Sequence, residues 1–166
     1  MPLWGPRSKL GLATALAVFV VDRINKHWLV DIYDLPSRGS IEVTGFLDVV
    51  MVWNRGISYG LLQQNGDLGR YGLIILALIL SVILIAWLAR TLGSATAIAL
   101  GLVIGGAISN PIDRMIWGAV ADFYRLHAWG YSWYVFNVAD AAIVVGAAIL
   151  LYLSLDFGHK SAEKRR

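Results

Sequence analysis

Residues 71–89 read YGLIILALILSVILIAWLA, nineteen positions without a charge. As a helix rising 1.5 Å per residue this run covers about 30 Å, the thickness of the hydrocarbon core of a bilayer. Its natural solvent is lipid. The rest of the composition agrees: 58% of the 166 residues are hydrophobic, 15% are charged and the mean hydropathy is +0.65, whereas soluble domains run at roughly 45–50% apolar and about 25% charged. Most of a chain this short must go into membrane spans, so residues 1–166 are read as a single integral membrane domain.

Three further spans flank this run. One begins near Gly93 and continues through TAIALGLVIGGAIS to about Asn110, and another starts near Val138 and continues through AAIVVGAAILLYLSL. Before the central run, the apolar stretch Leu10 to Val21 meets Asp22, Arg23 and Lys26 and then resumes at Trp28-Leu29-Val30. No small-residue cleavage site follows it, so a transmembrane helix with a charged outer end fits better than a signal peptide. The expected fold is membrane all-α with four transmembrane helices, which puts both termini on one side. Arg7 and Lys9, Lys160, Lys164, Arg165 and Arg166, and Arg90 between the middle spans assign that side to the cytoplasm. The charge of +3 and pI of about 9.3 therefore reflect topology rather than a nucleic-acid partner.

Residues 31–70 and 112–137 then face outward. Segment 41–60, rich in β-branched and aromatic residues, is expected to form short strands or a hairpin, residues 63–70 a turn-rich connection, and 112–137 an outer loop. Trp28, Tyr33, Trp117, Trp129, Tyr131, Trp133 and Tyr134 suit headgroup depth. Ala97, Gly101, Gly105 and Ser109 recur at every fourth position, and Ala142 and Gly146 form a shorter stripe, which makes the third and fourth spans expected neighbours.

Ionisable groups at membrane depth are expensive and mark candidate sites. Here Asp22, Lys26, Asn110, Asp113, Arg114, Asn137 and Asp140 collect at the outer level, and Asp122 lies in the outer loop on the same side. Local readings compete with functional ones. Asp22 and Lys26 at i, i+4 can neutralise each other on one helix face. Asn110-Pro111 is expected to kink or end the third span. Asn137-x-x-Asp140 has the form of a capping box, and Asp122 alone could be a solvated loop acid. The chain has no cysteine, His27, His127 and His159 lie far apart with no HExxH spacing, and there is no GxSxG. For a hydrolase, carboxylates are the remaining candidates, and no metal or other cofactor is expected.

The ordered motifs resemble those of the lipoprotein signal peptidase family. They are Asp22-x-x-x-Lys26; Asn54-Arg55-Gly56-Ile57-Ser58-Tyr59-Gly60, similar to NxGxAFG; Gly105 to Arg114, similar to GGAxGNxxDR; Gly118 to Phe123, similar to GxVxDF; and Phe136 to Asp140, similar to FNxAD. Ser58, Tyr59 and Ser109 depart from alanine, phenylalanine and glycine. The resemblance implies an aspartyl endopeptidase of the bacterial inner membrane. It would cut prolipoproteins before the diacylglyceryl-modified cysteine at the outer face, with Asp122 and Asp140 as catalytic pair. By position, Asn54, Gly56, Asn110, Asp113, Arg114, Asn137 and Ala139 would line or brace the site, with Asp22 and Lys26 in support. Globomycin-type cyclic peptides are the implied inhibitors. A small proton-coupled transporter, with Asp22, Asp113 and Asp140 as relay, and a structural protein without chemistry are the rival readings; the first expects acids spread through the membrane thickness.

Overall fold

The computed structural model describes residues 4–56 and 66–163. Helix α1 (Ser8–His27) runs into a π-helical turn at Trp28–Ile32, closed by the Tyr33 amide donating to the Trp28 carbonyl at 2.8 Å. A one-turn helix α2 (Leu35–Arg38) leads to strands β1 (Ile41–Thr44) and β2 (Leu47–Asn54). Helices α3 (Asp67–Leu88) and α4 (Ser94–Trp117) follow, then β3 (Val120–Ala128), β4 (Tyr131–Ser132) and α5 (Val138–Glu163). The expected hairpin is present as β1 and β2, and its continuation through Gly60 lies outside the described residues. Helix α3 starts at Asp67, so part of the turn-rich connection is already helical.

Among the described residues, three helical stretches are long and apolar enough to cross a membrane: Asp67–Leu88, Ser94–Trp117 and Val138–Leu155. Their outward faces are apolar, with Ile79, Val82 and Ile83 of α3 and Val144 and Leu151 of α5 exposed, the pattern of helices solvated by lipid. Helix α4 lies centrally, packed against α1, α3 and α5. The stripe of small residues on α4 serves α1: a Cβ at Gly101 would fall 2.4 Å from the Gly11 carbonyl oxygen, and one at Gly105 2.5 Å from that of Ala15. Contact with α5 uses a neighbouring line instead, Gly106 against Ala139 and Gly146 against Ala99. Helices α4 and α5 are indeed neighbours, as expected, but the stripe's partner is α1.

Two expectations are refined. Of the kink or end expected at Asn110-Pro111, the end does not occur: helix α4 passes through Pro111 and stops at Trp117, and Gly118 adopts φ 79°. The tertiary partners of Asp113 and Arg114, given below, outweigh the local preference of proline. The outer loop 112–137 is also largely ordered, since β3 is the third strand of a four-stranded sheet of order β1-β2-β3-β4. Strands β2 and β3 are antiparallel, with Val52 opposite Asp122 and Asn54 opposite Val120. Leu29, Leu35, Val49, Ala121 and Phe123 form the apolar cluster between the sheet and the end of α1.

The close α1–α4 approach gives a direct test. Gly105→Ala should destabilise the protein by about 1–3 kcal/mol through overpacking, lowering its thermal midpoint in detergent. Gly45→Ala, where a Cβ meets nothing within 4 Å, should leave it unchanged.

Candidate active site

The end of α1 supplies an anion and a cation one turn apart, and both are fully buried. Lys26 Nζ lies 2.8 Å from Asp22 Oδ2 and 2.6 Å from Asp113 Oδ2. Arg23 pairs with both acids as well, so two carboxylates and two cations neutralise one another. Asp22 also reaches two other helices: Ser109 Oγ donates to its Oδ2 at 2.6 Å, and the Ala139 amide donates to its Oδ1 at 3.0 Å. Asp113 accepts from the Ala121 amide at 3.2 Å. The acids of α1 and α4 thereby position the starts of α5 and β3.

At that start the capping box forms as expected. The Asp140 amide donates to Asn137 Oδ1 at 2.9 Å, and the Asn137 amide to Asp140 Oδ2 at 3.3 Å. This fixes the side-chain NH2 of Asn137 toward Asp122 Oδ1, 2.6 Å away, and Asn110 Oδ1, 3.2 Å away. Lys26 donates to the same Asn110 oxygen at 3.2 Å, leaving Asn110 Nδ2 to donate to Asp140 Oδ1 at 2.9 Å. Asp122 and Asp140, eighteen positions apart in sequence, are thus joined through two asparagine amides.

The sheet register completes the enclosure, because Asn54 is diagonal to Asp122 across β2 and β3 and shares its face. Asn54 Nδ2 donates to Asp122 Oδ2 at 3.1 Å while its Oδ1 accepts from the Gly56 amide at 3.0 Å. Arg114 Nη2 donates to the Gly56 carbonyl at 2.5 Å, and Arg114 Nε is buried with no hydrogen-bond partner among the described residues. Asp122 itself is fully buried. Burial, and next the charge of Asp140, push its carboxyl up to about 7, against the opposing hydrogen bonds from Asn54 and Asn137.

A cavity of about 300 Å³ opens beside these groups. Asn54, Asn110, Arg114 and Asp140 form its polar end, and Leu76, Leu80 and Ile143 belong to an apolar wall from α3 and α5. Among the described residues no three His, Asp or Glu side chains are grouped to hold a metal ion. Every site residue named from the sequence belongs to this one network or its cavity. Three side chains of the network had not been assigned to it: Arg23, Ser109 and Tyr134, whose hydroxyl contacts Asn54 and Asp122. Ser109 stood out as a departure from glycine; its hydroxyl on Asp22 is the physical counterpart. Ser58 and Tyr59 lie outside the described residues.

The arrangement is a pair of carboxylates, linked through asparagine amides, at the polar end of a largely apolar cavity. Residues 14–156 match the family model described as signal peptidase (SPase) II. A protein named lipoprotein signal peptidase from Methylobacterium sp. (strain 4-46) is 51% identical over 142 residues, 86% of each chain. One of the same name from Methylocella silvestris is 49% identical over 146 residues, 88% of this chain and 85% of the relative. A solved structure described as a bacterial membrane enzyme shares the fold with a TM-score of 0.77 at 24% identity, covering 88% of this chain and 87% of that one. The chain belongs to the signal peptidase II family and is a peptidase.

Removing one member of the buried charge cluster leaves the others uncompensated. Asp22→Asn should destabilise by about 3–5 kcal/mol and Ser109→Ala by about 1 kcal/mol, read as thermal midpoints in detergent.

Proposed function

We propose that this chain removes the signal peptide from diacylglyceryl-modified prolipoproteins, cutting before the lipid-modified cysteine, with Asp122 and Asp140 as an aspartyl dyad. The observation that carries this reading is the pair of carboxylates linked through Asn137 and Asn110 at the polar head of an apolar cavity. Asp140 lines the cavity and takes a proton from a water that attacks the scissile carbonyl. Asp122, buried and holding its proton near neutral pH, gives it to the developing oxyanion. Asn54, Gly56, Asn110, Asp113, Arg114, Asn137 and Ala139 line or brace the pair, and Asp22 and Lys26 support it.

The apolar wall suits a lipid-bearing substrate. Each buried methylene contributes about 0.8 kcal/mol, so acyl chains hold the scissile bond at the depth of the dyad. Globomycin-type cyclic peptides are the inhibitors this reading implies. A relay through Asp22, Asp113 and Asp140 is disfavoured because Asp22 and Asp113 are saturated by cations and amides in one cluster.

The topology belongs to the same proposal: residues 1–166 form one domain of the bacterial inner membrane, with α1 as a fourth span. At 20 residues α1 covers about 30 Å, and Leu16, Val20 and Ile24 give it an apolar outer face. Arg7 Nε donates to the Leu92 carbonyl at 3.0 Å, so the start of α1 and the Arg90 turn share an end, opposite the sheet. With basic termini inside, the dyad faces the periplasm. Reporter fusions at positions 65, 90 and 127 should read outside, inside and outside; any other order sinks the four-span topology.

Asp122→Asn and Asp140→Asn should each lower single-turnover cleavage of a diacylated prolipoprotein by several orders of magnitude with the fold intact. The double variant should be no worse than either single one. Wild-type cleavage should fall as pH rises through about 7, where Asp122 loses its proton. Near wild-type turnover in a folded single variant would overturn the assignment.

A further inference from the structure

Tyr134 stands between β4 and α5, three residues before Asn137. Trp129, Tyr131 and Trp133 beside it are 96%, 83% and 66% exposed, as outer aromatics should be. Tyr134 is different: it is only partly exposed, and its hydroxyl meets the acid of the dyad. It accepts a short hydrogen bond from Asn54 Nδ2 and donates to Asp122 Oδ2 at 3.4 Å. Asp122 Oδ2 is therefore bracketed by Asn54 and Tyr134, while Oδ1 is held by Asn137. Burial, and then the charges of Asp122 and Asp140, raise the phenol well above its ordinary range, so it remains a donor throughout the working pH.

We propose that Tyr134 is a positioning residue of the peptidase reaction, its hydroxyl orienting Asp122 and stabilising the carboxylate that Asp122 becomes when it releases its proton. The inference rests on Asp122 being the acid of the dyad. In the attack step the water oxygen bonds to the carbonyl carbon, one water proton passes to Asp140, and the Asp122 proton passes to the carbonyl oxygen. The hydrogen bond from Tyr134 changes from one onto a neutral acid to one onto an anion, and such charge-assisted bonds are about twice as strong. It is strengthened only as the reaction proceeds, so its contribution falls on kcat rather than on KM. In the resting enzyme the same donor favours ionised Asp122 and opposes the effect of burial.

The test is Tyr134→Phe, assayed for kcat, KM and pH profile on a diacylated prolipoprotein, beside Asp122→Asn and the double variant. Phenylalanine keeps the ring and removes only the hydroxyl. The expected result is a kcat lower by about ten- to a hundredfold, with KM nearly unchanged and a thermal midpoint near wild type. The falling limb of the pH profile should move upward by up to about one unit, because Asp122 loses a donor that favours its anion. In the Asp122→Asn background Tyr134→Phe should add no further loss. Wild-type kcat and an unshifted limb, with Asp122→Asn inactive, would overturn the role of Tyr134 while leaving the dyad standing. A raised KM with an unshifted limb would do the same, assigning Tyr134 to substrate contact. Full activity of folded Asp122→Asn would instead remove the dyad, and this inference with it.

Discussion

The buried cluster of Asp22, Arg23, Lys26 and Asp113 is the constraint on which the rest of the molecule depends. Each charge alone at that depth would cost several kcal/mol, and the two carboxylates and two cations relieve one another only if α1 and α4 meet at one register. The glycine stripe on α4 permits that meeting by bringing its backbone against Gly11 and Ala15. The spare oxygen valences then act outward, Asp22 on the Ala139 amide and Asp113 on the Ala121 amide. Helix α5 and strand β3 are placed by the anions that stabilise α1 and α4.

The same logic orients the three site amides. An asparagine can present either its oxygen or its NH2, and the surrounding network decides which. Asn110 has its oxygen occupied by Lys26 and Asn137, Asn137 by the Asp140 amide, and Asn54 by the Gly56 amide. All three therefore aim NH2 groups at a carboxylate. The donors of Asn54 and Asn137 oppose the burial of Asp122, which keeps its proton exchangeable near neutral pH instead of locked in place.

Much of this was legible from residue patterns, and the exceptions have physical causes. The charge-free run that makes up most of α3 needed only length and composition. The Asp22–Lys26 pair followed from helical spacing, and the hairpin from β-branched residues between glycines. Strand β3 escaped because Val120, Ala121, Asp122 and Phe123 are all buried, so no alternation marks it. The helix beyond Pro111 escaped because its support is tertiary, from Lys26, Gly56 and Ala121. Tyr134 was hidden among exposed aromatics of the same type; only the β2–β3 register and the approach of the chain to α5 turn it inward.

The bland local readings of Asn137 and Asp140 proved true without displacing the functional one. The capping box forms, and the residues that close it also connect the two acids. A helix beginning inside a membrane protein has amides that must find acceptors in any case. Satisfying them with side chains that have further hydrogen-bonding capacity creates a polar centre with few additional buried groups. Asp140 can thus cap α5 through one oxygen while the other accepts from Asn110 at the edge of the cavity. In a bundle where an unpaired buried polar atom is costly, one shared network caps the helix and holds the two acids with fewer buried groups than two separate networks would need.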